Sequence, residues 1–146
     1  MRKINILLVE DNEDHIFLTK KAIQSTLGNL DYEVHVARDG MEAIDFIKHI
    51  EKYKNSPLPN LILLDIKIPR KNGFEVLKEL KEDPKYKKIP IVMLTSLESE
   101  EHIVKSYELG SNSYVVKPLE YEALISKIRE IPEYWCNINY LPPVEG

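Results

Sequence analysis

Short apolar runs alternate with longer amphipathic segments along the chain. Apolar residues recur every three or four positions in the longer segments, which is typical of helices that bury one face. The shorter runs are rich in Ile, Val and Leu and predict five strands, over Ile4 to Val9, Val34 to Ala37, Leu61 to Leu64, Ile89 to Leu94 and Tyr114 to Val116. This alternation predicts an α/β fold, a parallel sheet with helices on both faces.

The residues after Ile131 depart from this alternation. They include Pro132, Trp135 and a later pair of prolines. A length of 146 residues suits one folded domain with its own core. We therefore predict a single domain over residues 1–131 and an apolar tail over residues 132–146, with no separate output domain.

Charge and cysteine usage narrow the range of partners. The chain has 20 Lys and Arg against 24 Asp and Glu, a formal charge of -4, whereas nucleic-acid binding needs a surplus of positive charge. The only cysteine, Cys136, cannot form an intramolecular disulfide, which suits a reducing compartment. No apolar run approaches the roughly 20 residues of a transmembrane helix. We expect a cytoplasmic protein that binds neither nucleic acid nor a membrane.

Polar side chains follow four of the five predicted strands at the point where each strand ends. These are Glu10 and Asp11 after the first strand, Asp65 after the third, Thr95 after the fourth and Lys117 after the fifth. Ligands of open parallel sheets bind outside the carboxyl ends of the strands, so these side chains are expected to converge. Clustered carboxylates favour a hard cation, Mg2+ or Mn2+. Lysine and threonine suit a phosphoryl group, which aspartate can accept covalently.

Four motifs in this order resemble the response-regulator receiver domains of two-component signalling, over about residues 3–131. The motifs are Leu8-Val9-Glu10-Asp11-Asn12, Leu63-Leu64-Asp65-Ile66-Lys67-Ile68-Pro69 with Gly73, Leu94-Thr95-Ser96, and Tyr114-Val115-Val116-Lys117-Pro118. The resemblance implies a doubly wound, flavodoxin-like receiver fold with five parallel strands in the order 2-1-3-4-5.

The resemblance also implies roles at the metal and phosphorylation site. Asp65 matches the phosphoacceptor of the family, and Glu10 and Asp11 match the acidic pair that holds Mg2+. The backbone carbonyl of Lys67 matches a further metal ligand. Lys67 is larger and more charged than the residue that many relatives carry there, so its ammonium could either enter the site or point outward.

A second group of residues matches the part of the family's site that responds to phosphorylation. Thr95 corresponds to the hydroxyl residue that moves towards the phosphoryl group, and Tyr114 to the aromatic switch that follows it. Lys117 corresponds to the ammonium that pairs with the phosphate, and the Lys117–Pro118 bond to a cis peptide. The four histidines lack the spacing of metal ligands, and we assign them no role.

A closer resemblance covers nearly the whole chain. The residues that carry it look like those of the phytochrome-associated receivers and lie in Asn55-Ser56-Pro57 through Asp65, Lys105 to Leu109, Tyr134-Trp135 and Leu141-Pro142. That resemblance implies a sensor histidine kinase as partner, with light as one candidate signal. It also implies a homodimer formed through the carboxyl-terminal side, which an exposed apolar tail would suit.

We therefore expect a response regulator that accepts a phosphoryl group from a histidine kinase onto Asp65 in a Mg2+-dependent phosphorelay. It would be a signalling domain rather than a turnover enzyme, acting through the kinase, a downstream phosphotransfer protein or a homodimer. One alternative is a Mg2+-dependent phosphohydrolase with an aspartyl nucleophile, but such enzymes carry a second Asp where this chain has Lys67. The other is a phosphate-independent binding module, which the set of Asp65, Thr95 and Lys117 disfavours.

Overall fold

A five-stranded parallel sheet forms the centre of the computed structural model, which describes residues 3–144. The strand order is β2-β1-β3-β4-β5, which confirms the predicted fold. The strands are β1 (Ile4–Val9), β2 (Tyr32–Ala37), β3 (Leu61–Leu64), β4 (Ile91–Thr95) and β5 (Ser113–Val116). The helices are α1 (Glu13–Leu27), α2 (Gly40–Ile47), α3 (Gly73–Glu82), α4 (Glu100–Glu108) and α5 (Tyr121–Pro132).

Burial explains why the central strands read as continuous apolar runs. All residues of β3 and β4 are buried because helices cover both faces of the sheet. The edge strand β2 alternates instead and begins at Tyr32, two residues before the apolar run that predicted it. Strand β4 begins at Ile91 rather than Ile89, since Pro90 has no N–H to donate to a neighbouring strand.

Two helical layers enclose the sheet. Helices α1 and α5 pack on one face, which we call the α1/α5 layer. Helices α2 and α3 cover the other face, and α4 joins them through His102, whose ring stacks on Phe74 of α3 with centroids 6.1 Å apart. Between α2 and β3, a short 3-10 turn at Glu51–Tyr53 lies against α2, where the Tyr53 hydroxyl donates to Glu42 at 2.6 Å. Within residues 3–144, no helix has both the length and the apolar character needed to cross a bilayer.

The chain beyond α5 is more ordered and more buried than the sequence predicts. Helix α5 runs through Pro132 and continues as a π-helical segment over Glu133–Ile138. The φ of -67° at Pro132 fits a helix, while the missing N–H prevents the α-helical hydrogen bond and favours a wider turn.

The apolar tail is therefore only partly exposed. Trp135, Cys136 and Leu141 are half-buried against the core of the α1/α5 layer, and Val144 packs against the core on the opposite face of the sheet. Trp135, Cys136 and Leu141 extend the core to which α5 contributes, whereas Val144 extends the core beneath α2 and α3. Three large apolar or aromatic side chains of the tail stay exposed, namely Tyr134, Ile138 and Tyr140.

The burial of Cys136 predicts an unreactive thiol. Burial raises the pKa of this thiol to about 11. Because the thiolate is the nucleophile, the folded protein at pH ~8 should react with Ellman's reagent about 100-fold more slowly than the protein unfolded in guanidinium chloride. The rate should rise with pH until the pKa is reached. Equal rates in the folded and unfolded protein would show that the tail does not shield Cys136.

Candidate functional site

The carboxyl ends of the parallel strands bring the predicted polar residues to one edge of the sheet. Glu10 follows β1, Asp65 follows β3, Thr95 ends β4 and Lys117 follows β5. All four are buried, with exposed fractions of 3% for Glu10, 9% for Asp65, 0% for Thr95 and 5% for Lys117. Ionisable groups are seldom buried unless they are paired, so their contacts determine what this site can do.

The Lys117 ammonium lies at the centre of the site and contacts three acceptors. It donates to Glu10 Oε1 and to Asp65 Oδ2, the latter at 3.1 Å, and it lies 3.0 Å from His15 Nδ1. An ammonium has three N–H groups, so these contacts use all of them. The two buried carboxylates thus share one buried cation.

Backbone amides satisfy the remaining oxygen of each carboxylate. Glu10 Oε2 accepts a hydrogen bond from the backbone N–H of Asn12 at 3.1 Å, and Asp65 Oδ1 accepts one from the backbone N–H of Ile66 at 2.7 Å. Burial raises the pKa of Glu10, while the charge of Lys117 opposes this shift. The site therefore depends on Lys117 to keep Glu10 ionised.

The loop that follows Asp65 is held against two neighbouring segments. The backbone N–H of Gly73 donates to Ile66 O at 2.9 Å, and that of Gly40 donates to Pro69 O at 3.2 Å. Both glycines lie where a side chain would overlap backbone atoms: a Cβ at Gly73 would overlap the carbonyl oxygen of Asp65. Lys67 within this loop is exposed, which places it at the rim of the site rather than among the buried groups.

Thr95 and Tyr114 both contact the loop between β4 and α4. The Thr95 hydroxyl oxygen accepts from the backbone N–H of Leu97 at 3.3 Å, and the Tyr114 hydroxyl donates to the Leu97 carbonyl at 2.6 Å. Burial raises the pKa of Tyr114, and the charge of Asp65 adds to the shift. The backbone of Leu97 therefore links Thr95 at the end of β4 to Tyr114 on β5.

Asp11 lies at the exposed rim of the site, apart from the buried pair of Glu10 and Asp65. Between Lys3 and Val144, no three His, Cys, Asp or Glu side chains converge closely enough to hold a metal ion in this arrangement. The ammonium of Lys117 lies between the two buried carboxylates instead. The available donors are nevertheless carboxylate and carbonyl oxygens, which fit a hard divalent cation such as Mg2+ or Mn2+.

A family model described as the response regulator receiver domain matches residues 6–129. The chain belongs to this receiver family. It is 39% identical over 137 residues to response regulator Rcp1 of Synechocystis sp., an alignment that covers 94% of this chain and 92% of Rcp1. This match confirms the family that the sequence motifs predict, which is a signalling family, and its flavodoxin-like fold.

Two solved structures resemble this receiver domain over nearly its whole length. The Mn2+-bound form of Rcp1 is 38% identical with a TM-score of 0.92, and the match covers 96% of this chain and 99% of that one. The phosphorylated cyanobacterial phytochrome response regulator RcpA is 38% identical with a TM-score of 0.93, and the match covers 97% and 100% of the two chains. These neighbours confirm the closer resemblance to phytochrome-associated receivers.

The receiver site also includes one residue to which sequence reasoning gave no role, His15. It lies in the first turn of α1, five positions after Glu10, and its ring reaches Lys117 only because Asn12 starts the helix there. Burial and the charge of Lys117 both lower the pKa of His15, so the ring is neutral at neutral pH and Nδ1 can accept a hydrogen bond. The start of the helix was the only signal in the sequence that could have indicated this position.

The expected cis peptide between Lys117 and Pro118 is wrong for this structure. The peptide bonds of the described part of the chain are all trans. An X–Pro bond favours trans by only about 0.5–1 kcal/mol, so the sequence alone does not determine the isomer.

Lys117→Met tests the dependence of the buried carboxylates on their cation. The substitution should lower the free energy of unfolding by about 3 kcal/mol at pH ~7, because Glu10 and Asp65 stay buried without a partner. It also removes the charge that lowers the pKa of Glu10, so the folded state binds a proton at higher pH than the unfolded state does. The folded form of the variant should therefore regain stability relative to wild type as pH falls from ~7 to ~5.

Urea unfolding of both proteins at several pH values measures this effect. The double variant Glu10→Gln/Lys117→Met is the control and should show a much weaker pH dependence than Lys117→Met. A loss of stability in Lys117→Met that stays constant with pH would contradict the role assigned to Lys117.

Gly73→Ala tests the close approach behind Asp65. Its Cβ would overlap the Asp65 carbonyl oxygen and lie 2.6 Å from Ile66 Cα, so we expect the free energy of unfolding to fall by about 3 kcal/mol. Gly28→Ala is a matched control, since its Cβ meets nothing within 4 Å and only the φ of +49° is strained, at a cost of about 1 kcal/mol. Equal losses in urea unfolding would show that the loop moves aside for the added Cβ.

Proposed function

We propose that a sensor histidine kinase phosphorylates this receiver domain on Asp65 in a Mg2+-dependent step. The observation that carries the proposal is the environment of the Asp65 carboxylate. It lies at the end of the central strand β3 with Lys117 on Oδ2 and a backbone amide on Oδ1. A buried carboxylate held between a cation and an N–H group is positioned for nucleophilic attack on a phosphoryl donor.

The surrounding residues supply charge and hydrogen bonds for the phosphoryl group. Glu10, Asp11, Asp65 and the backbone carbonyl of Lys67 are the residues that would hold the cation. When bound, the cation neutralises charge on the phosphoryl oxygens. The phosphoryl group carries about 1.5 to 2 negative charges, which replace the single charge of the Asp65 carboxylate, and Lys117 is the buried cation that can pair with them.

Thr95 and Tyr114 are the proposed switch residues. The Thr95 hydroxyl can donate to a phosphoryl oxygen once it moves towards Asp65. Such a movement changes its contact with Leu97, whose carbonyl also holds the Tyr114 hydroxyl. Phosphorylation on Asp65 is thereby coupled to the β4–α4 loop and to β5, which shift between two populated arrangements.

The partners we propose are proteins. Similarity to the cyanobacterial phytochrome response regulator RcpA supports a phytochrome-type histidine kinase as the donor. Trp135, Cys136, Leu141 and Val144 pack against the receiver cores, so we propose that residues 132–146 form a tail to the domain of residues 1–131 rather than an output domain. Output then passes to a phosphotransfer protein or through a homodimer on the carboxyl-terminal side, where Tyr134, Ile138 and Tyr140 are exposed.

Two alternatives have weaker support. A phosphohydrolase of this type needs a general acid two residues after the nucleophile, and that position holds the exposed Lys67. A phosphate-independent module has no use for the buried set of Asp65, Thr95 and Lys117, which is costly to bury.

Intact-mass spectrometry tests phosphorylation on Asp65. The protein incubated with Mg2+ and acetyl phosphate should gain one phosphoryl group, because the donor replaces the kinase. Asp65→Asn should gain none, and neither should wild type after chelation of the metal. Circular dichroism of Asp65→Asn checks that the variant is folded.

Two results would oppose the proposal. Absence of any mass gain in wild type with Mg2+ would favour the phosphate-independent module. Steady turnover of p-nitrophenyl phosphate, lost in Asp65→Asn, would favour the phosphohydrolase.

A further inference from the structure

We propose that His15 is a positioning residue for Lys117, whose ammonium it holds through its ring nitrogen Nδ1 without binding the cation or the phosphoryl group itself. This inference rests on the proposed phosphorylation of Asp65. It assigns a role to a side chain that enters none of the four receiver motifs described above.

The contacts of Lys117 support this role. Its three N–H groups meet Glu10 Oε1, Asp65 Oδ2 and His15 Nδ1, the last at 3.0 Å. With 5% of Lys117 exposed, water is a poor substitute for a lost acceptor. Within residues 3–144, the imidazole is therefore one of three groups that hold the ammonium by hydrogen bonds.

The three acceptors differ in the other tasks they perform. Glu10 and Asp65 also belong to the proposed cation site, and one carboxylate oxygen of Asp65 becomes bonded to phosphorus when the acyl phosphate forms. His15 has no such second task. It can hold the ammonium in the same place before and after phosphorylation. Lys117 is then already positioned to pair with the negative charge of the phosphoryl group.

A closed ring of hydrogen bonds holds His15 in position. The backbone N–H of Asn12 donates to Glu10 Oε2 at 3.1 Å, and Asn12 Oδ1 accepts from the backbone N–H of His15 at 3.0 Å. The ring closes through His15 Nδ1 and Lys117, which returns to the other oxygen of Glu10. The N-cap of α1 thus places the imidazole relative to the same carboxylate that pairs with the ammonium.

Two substitutions separate the effect of the hydrogen-bond acceptor from the effect of the size of the ring. His15→Asn places an amide oxygen near the position of Nδ1, whereas His15→Leu places a methyl group there. Phosphorylation by acetyl phosphate with Mg2+ is followed by intact mass at saturating donor. We expect the rate constant to fall about tenfold in His15→Leu and to stay within about twofold of wild type in His15→Asn, the loss being that of one hydrogen bond to a charged group.

A second measurement does not depend on phosphorylation. In the metal-free protein, proton–nitrogen NMR at neutral pH should show a Lys117 ammonium signal that is protected from exchange with water, assigned by its loss in Lys117→Met. The signal should persist in His15→Asn and broaden in His15→Leu. Equal thermal unfolding midpoints for the two His15 variants would show that the difference does not come from stability.

The outcomes distinguish this inference from the proposed function. Wild-type rates in His15→Leu, or an ammonium signal equally protected in both variants, would overturn the role of His15 and leave phosphorylation of Asp65 intact. Failure of wild type to gain a phosphoryl group would overturn the proposed function, and the ammonium signal would still decide whether His15 holds Lys117.

Discussion

The buried ammonium of Lys117 is the interaction on which the rest of this site depends. Two carboxylates, Glu10 and Asp65, are removed from water at the end of the sheet, and each needs a partner. One cation serves both, at sequence separations of 107 and 52 residues. The pairing therefore exists only when β1, β3 and β5 occupy their places in the sheet, so the site forms together with the fold.

Sequence reasoning reached the strand-end residues because their positions follow from local patterns. A polar residue directly after an apolar run lies at the carboxyl end of its strand, so Asp65 and Lys117 could be placed without knowledge of their contacts. His15 could not be placed in this way, because its ring reaches Lys117 only through the packing of α1 over the ends of the strands. The exposure of Lys67 likewise depends on the course of a loop, which no periodicity describes.

The tail shows a second limit of local patterns. Pro132 ends the regular apolar repeat, and a sequence that stops repeating is read as irregular and exposed. Tertiary packing overrides that reading, because Trp135 and Leu141 find uncovered apolar surface beside α5. Whether an apolar side chain packs on its own core or stays exposed to a partner depends on the surface next to it in the fold. The local sequence does not specify that surface.

The same tail connects the two sides of the sheet. Trp135 contributes to the core of the α1/α5 layer, and Val144 to the core on the opposite face, with only eight residues between them along the chain. Detachment of the tail would therefore uncover apolar surface on both faces of the sheet.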